Sequence, residues 1–266
     1  MRVLKIGGVV VGALIVTTLG ISASDLLDGA SGSLLSQVGG TSTPPCPSGM
    51  IHVPTSGTFS CVDTYEASAS EDCLYKRPTN AIETLANINE TRCQATSNAE
   101  AIPWTFVARE QARALCARSG KRLPTAAEWY HVAIATPDDE RCHINSNSLQ
   151  PTGAASQCVS ALGVMDAVGN AWEWVSDDVV AGQLGSLSLP QSGYVTQVSG
   201  DGIAVVTGNT SEEQFGDDYF WHTAEGVYGM LRGGYFAGES DAGVYATQAQ
   251  TKPTLATVAI GFRCVL

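Results

Sequence analysis

Apolar positions recur at helical spacing in only two stretches of this chain. In "FVAREQARALCARS", Phe106, Ala112, Leu115 and Cys116 share one face, so the spacing predicts a helix over 106–119, stopped by Gly120. In "RLPTAAEWYHVAIAT", Thr125 and Glu128 form a capping box behind Pro124, and Trp129, Val132 and Ala133 make the face to be buried. Elsewhere the pattern is that of strands and loops. "MIHVPTSGTFSCVDTYEAS" has the β-branched content of two short strands around Ser56-Gly57. Residues 178–228 include "SGYVTQVSGDGIAVVTGN", a hairpin pattern with long polar loops. Two helices, small antiparallel sheets and much irregular chain predict a loop-rich α+β domain.

The start of the chain follows another pattern. Arg2 and Lys5 precede an uncharged run from Ile6 to Ser24 that ends in small residues (Ser22, Ala23, Ser24). That is the form of a secretory signal peptide cleaved after Ala23, or of an uncleaved membrane anchor over 1–23. Either one puts the body outside the cytoplasm. Residues 24–45 are Ser/Gly-rich, end in Pro-Pro and read as a tether. The folded domain is then 46–266.

Hydrophobic residues make up 44% and charged ones 15%, enough apolar content for a core and against wholesale disorder. The formal charge of −12, with no Lys/Arg cluster, removes nucleic acid from the list of partners. The 8 cysteines all lie beyond residue 45, none in a Cys-x-x-Cys pair, and so read as a disulfide framework for the exported part. Loop-closing neighbours are the simplest pairing: Cys46 with Cys61, Cys73 with Cys93, and Cys142 with Cys158.

Four separated pieces carry more specific information: "VDTYEAS" at 62–68, "CARSGKRLPTAAEW" at 116–129, "MDAVGNAWEWVSD" at 165–177, and "LRGGYF" with the terminal "GFRC". In this order and spacing the chain, over roughly 46–266, resembles the sulfatase-modifying-factor family, which includes the formylglycine-generating enzymes. The resemblance implies a C-type-lectin-like fold with little regular secondary structure. It implies a long-range disulfide from Cys116 to Cys264. It also implies a structural Ca²⁺ held by the side chains of Asp166 and Glu173 and the carbonyls of Gly169 and Ala171, a hard-oxygen set that suits this ion. Asp166 departs from the asparagine of the enzymes, keeping an oxygen and adding charge. Independently of any family, Glu173 sits between Trp172 and Trp174 and is expensive to bury unpaired. It needs the ion or an arginine such as Arg232. Arg122 is expected to pair with Glu128 or Glu66.

Formylglycine-generating enzymes act through two cysteines just after Arg-Gly-Gly, whose sulfurs bind Cu(I). Aligned on Arg232-Gly233-Gly234, those positions are Gly238 and Gly243, and the histidine after the first cysteine is Glu239. No soft ligand is left there, so copper is not expected. His52, His131, His143 and His222 lie on separate segments without ligand spacing. Three functions follow. The first is a non-catalytic binding module that meets a surface ligand, protein or glycan, through loop 235–248, with Tyr235, Phe236, Glu239, Ser240, Asp241 and Tyr245 exposed. The second is a diverged oxidase of the formylglycine-generating type. The third is a cell-surface structural or adhesion subunit anchored by the N-terminal segment.

Overall fold

The computed structural model describes residues 46–54 and 57–266. The leader and tether expected over 1–45 lie outside the described residues. Along the chain run β1 (Met50–His52), β2 (Cys61–Asp63), β3 (Ala67–Ala69), α1 (Ala81–Asn89), β4 (Ala95–Ser97), α2 (Arg109–Arg118) and α3 (Ala126–Ala133). Then follow β5 (Trp172–Val180), β6 (Gln183–Leu184), β7 (Leu187–Ser188), β8 (Gly193–Val198), β9 (Ala204–Gly208), β10 (Tyr219–His222), β11 (Val227–Arg232), β12 (Thr247–Thr251) and β13 (Ile260–Phe262).

The two helices read from the sequence form. α3 begins at its capping box: the Thr125 side chain accepts from the Glu128 amide at 3.2 Å, and the Glu128 carboxylate accepts from the Thr125 amide at 2.8 Å. Arg122 does pair with Glu128, both guanidinium nitrogens reaching its carboxylate at 2.7 Å. α2 begins at Arg109 rather than at 106, because Phe106 sits in the left-handed region at φ 54°. α1 was not foreseen. Its Asn80 cap accepts from the amides of Ile82 and Glu83, but its apolar residues face outward: Ile82 and Leu85 are exposed while Thr84 and Asn87 are buried.

The sheet is larger than the small sheets expected. Nine of the described strands form one mixed sheet in the order β7-β6-β5-β11-β12-β10-β8-β9, with β13 parallel to β5. β1–β2 and β3–β4 are separate antiparallel pairs. The predicted hairpin is β8–β9, and its segment does not stop there, since β10 enters the sheet parallel to β12. The core falls into two clusters, one around Trp129, Val175, Phe220 and Met230, the other around Trp104, Leu115, Trp174 and Phe262.

All eight cysteines are bonded: Cys46–Cys61, Cys73–Cys93, Cys142–Cys158 and Cys116–Cys264. The first three close local loops as expected. The last ties α2 to the chain end beyond β13. Four disulfides fit an oxidising compartment.

Candidate functional site

The landmark turn begins where β11 ends. Arg232 is fully buried, donates to the carbonyls of Gly202 and Val244 at 3.1 and 2.9 Å, and lies over the Trp129 ring at 5.1 Å. Burial lowers its pKa to about 10 although Asp218 pulls the other way. Gly233 and Gly234 follow at φ +91° and +85°; a Cβ on Gly233 would strike the Ala167 carbonyl and the Trp129 ring.

This turn launches the loop expected to bind. Glu239 and Ser240 are exposed, and Tyr235, Asp241 and Tyr245 are half-buried. Phe236 is a correction: it is only 7% exposed. Its amide donates to Asn170 O at 3.0 Å, and its carbonyl accepts from the Ser146 amide at 2.7 Å. Those bonds hold it inward as a peg, so it offers no contact surface. The loop also does not form one surface. Tyr235 and Asp241 face one cavity; Tyr245 faces another.

The first cavity holds about 200 Å³ and is bounded by Trp172, Trp221, Tyr235, Gly238, Asp241 and Gln248. Trp172 and Trp221 meet edge-on with centroids 5.8 Å apart, and Tyr219 backs Trp221 at 4.8 Å. Burial, and after it Glu239, raises the Asp241 pKa. Through Trp172 and Gln248 the cavity adjoins a groove of about 390 Å³ along β12. Trp221 and Gln248 escaped the sequence reading. A usable signal was the alternation in "YFWH", where Phe220 is buried and Tyr219 and Trp221 are half-buried on the other face.

Gly238 and Gly243 both sit where a side chain has no room. A Cβ on Gly238 would stand 2.7 Å from Ala242 Cβ. One on Gly243 would run into the Asp218 carboxylate and stand 2.6 Å from Asp138 Oδ2.

Behind the turn lies the expected ion-ligand segment. Glu173 is paired, with Arg263 rather than Arg232: Arg263 Nε reaches both carboxylate oxygens at 2.9 and 2.7 Å, and Trp129 Nε1 donates to Oε2 at 2.6 Å. Arg232 is directly opposite Glu173 across β11 and β5, but its guanidinium lies over the Trp129 ring instead. Glu66 accepts from Asn170 Nδ2 and from the Ala171 amide at 3.1 Å. Asp166 accepts from the Gly153 amide at 2.6 Å through Oδ2, and its Oδ1 is buried without a partner. Three carboxylates therefore face the single Arg263. Burial raises the Asp166 pKa to about 6 and the Glu66 pKa well above the usual carboxylate range. Excess negative charge and one orphaned hard oxygen fit a cation such as Ca²⁺. No group of three His, Cys, Asp or Glu side chains with ligand geometry occurs among the described residues, so such an ion would also need the carbonyls of Gly169 and Ala171.

Fold and site define a disulfide-stapled α+β module with an aromatic cavity beside a glycine turn. The chain belongs to the sulfatase-modifying-factor family: residues 58–266 match the sulfatase-modifying factor enzyme 1-like domain. With that membership goes the C-type-lectin-like arrangement the motifs implied. Solved structures similar to it include the Major Tropism Determinant P3c variant, at 18% identity and a TM-score of 0.47, covering 83% of this chain and 52% of that one. The chain thus spans about half the length of that protein. PvdO from Pseudomonas aeruginosa is similar at 17% identity over 81% of this chain and 89% of its own, with a TM-score of 0.45. CarF is similar at 13% identity over 77% and 85%, with a TM-score of 0.40. No curated protein sequence matched the chain.

Proposed function

We propose that this chain is an exported, non-catalytic binding module on the family scaffold. It recognises a surface ligand, protein or glycan, through the cavity between Trp221, Tyr235 and Asp241. The observation that carries the reading is the environment of Gly243. The family's oxidases place a sulfur at that position, whereas here two carboxylates occupy the direction a side chain would take. With all eight cysteines in disulfides, sulfur-based oxidation has no thiolate to start from. The aromatic cavity suits recognition: Tyr235 and Trp221 offer rigid contact area at low entropic cost, and Asp241 and Gln248 supply the polar groups that fix orientation. Export follows from the apolar leader together with the disulfides, and cleavage after Ala23 would release the domain. Within this reading Asp166 and the carbonyls of Gly169 and Ala171 would hold a structural calcium ion, with Glu173 joining them only where it gives up part of its pairing with Arg263.

The test has two parts. Alkylation of the denatured, unreduced protein should add no alkyl groups by intact mass; two would restore the oxidase reading. On panels of immobilised glycans and surface proteins, the wild type should bind at least one member. Tyr235→Ala and Asp241→Ala should lose that binding at an unchanged Tm, whereas wild-type binding by both variants would move the site elsewhere.

A further inference from the structure

A second cavity, of about 240 Å³, lies on the other side of the loop and plays no part in that recognition. Its walls are aromatic. The rings of Tyr130, from α3, and Tyr245 stand 5.8 Å apart, and Phe215 meets Tyr245 edge-on at 5.6 Å. Its charged lining is wholly acidic, Asp138 and Glu213, with no Lys or Arg.

At the floor, Asp138 is pressed against bare backbone. A Cβ on Gly216 would enter its carboxylate, and one on Gly243 would stand 2.6 Å from Oδ2. Asp218, which is 0% exposed, turns its own carboxylate to the same point beside Gly243. Its Oδ2 accepts from the Tyr245 amide at 2.7 Å; its Oδ1 is buried and has no partner. Of two carboxylates aimed at one point, one can keep its proton, and the other, once ionised, is stabilised by a cation in front of it. Arg232 acts on Asp218, but the charges acting on Asp138 are the carboxylates of Asp139 and Asp217, and Arg141 is committed to Asp139 at 2.7 Å.

The kind of cation follows from the walls. A hard divalent ion takes about six to eight oxygens, which rings cannot supply. An organic ammonium ion takes aromatic faces for its charge and alkyl hydrogens, and a carboxylate as counter-ion. The geometry points to an alkylammonium subsite, in which an amine packs against the outer faces of the touching Tyr130 and Tyr245 rings and sets its charge against Asp138. Gly216 lines that floor without a side chain of its own, and Glu213 adds to its negative potential. The chemistry is shared by a free amine and by a lysine side chain of a partner protein.

Proton competition gives the site a second signature. Burial, with Asp139 and Asp217, raises the Asp138 pKa to about 7, and burial and Asp138 raise Asp218 well above its usual range. An ammonium ion needs the ionised form, so binding strengthens as pH rises through that value.

The full chain is titrated by calorimetry with n-butylammonium, with Nα-acetyl-lysine methylamide and with calcium chloride. Both amines should bind saturably at about pH 8, and about tenfold more weakly at about pH 6. Asp138→Asn should lose at least about tenfold in affinity. Its Tm at about pH 8 should equal or exceed the wild-type value, which separates a lost site from a lost fold. Tighter binding of the lysine analogue assigns the site to a protein lysine, and equal binding to a free amine. Absent saturation, wild-type affinity in Asp138→Asn, or a response confined to calcium would each overturn the proposal.

Discussion

Gly243 shows how much a single missing Cβ decides. Asp218 is fully buried, and one of its oxygens bonds the Tyr245 amide while the other faces the Gly243 backbone. Any side chain at 243 must displace that carboxylate or Asp138 beside it, and neither can move into packed backbone without cost. Gly243→Ala is therefore expected to lose about 2 kcal/mol or more in urea unfolding. Combining it with Asp218→Ala should recover part of that loss, since the two changes share one contact. Additive losses would show that the clash is not the cause. At this scale the sequence was legible in part. That the two sulfur positions are glycines could be read directly. That Glu173 needs a cation followed from its place between tryptophans. Which arginine serves it did not, because Arg232 and Arg263 are separated from it by sheet register. β13 brings Gly261 beside Glu173, and Arg263, two residues on, turns its guanidinium onto the carboxylate. Phe236 misled for a related reason: an aromatic in a polar loop looks like a contact residue until Asn170 and Ser146 are seen to hold its backbone inward.

Among the elements, the charged cluster joins β13, β5 and the loop that follows β2. Arg263 bonds Glu173 on β5 and the Asp63 carbonyl at 3.2 Å, so one guanidinium pins three segments. Three carboxylates share it, and the raised pKa values of Asp166 and Glu66 say where the strain is. A carboxyl group whose pKa is higher folded than unfolded holds its proton more tightly in the fold. Its contribution is complete below the ordinary carboxylate value and is lost as pH rises through the folded one, about 6 for Asp166. In chelator, stability should then fall by roughly 1–3 kcal/mol between about pH 4 and pH 7. Millimolar calcium should recover most of this at about pH 8 and little at about pH 5, where protons occupy the ligands. Unfolding curves that overlay in chelator and calcium at both pH values would remove the ion. Element prediction worked where local chemistry decides. The Thr125–Glu128 box opened α3 as read, whereas α1 was hidden because Ile82 and Leu85 point outward and Thr84 and Asn87 inward. No periodicity of apolar residues can find a helix that buries its polar side.

In the whole molecule, long loops must be held by something other than secondary structure, and the four disulfides do this unequally. Cys116–Cys264 spans 148 residues and joins α2 to the end of the chain, whereas Cys73–Cys93 spans 20. Cross-linking lowers the entropy of the unfolded chain, and the effect grows with the logarithm of the loop closed. Both bridges lie in the buried cluster of Trp104, Trp174 and Phe262, but the long one also sits next to Arg263, so it keeps β13 in register with β5. Replacing both cysteines of Cys116–Cys264 by alanine should cost about 4–5 kcal/mol. The same change at Cys73–Cys93 should cost about 3 kcal/mol. Urea unfolding of the two double variants against the wild type decides it. The family motifs foretold this long pair, and loop closure foretold the three local ones, because pairing of neighbours needs no knowledge of the fold. If the local pair cost as much as the long one, neither the length of the loop closed nor the clamp on Arg263 and β13 could be what sets the cost.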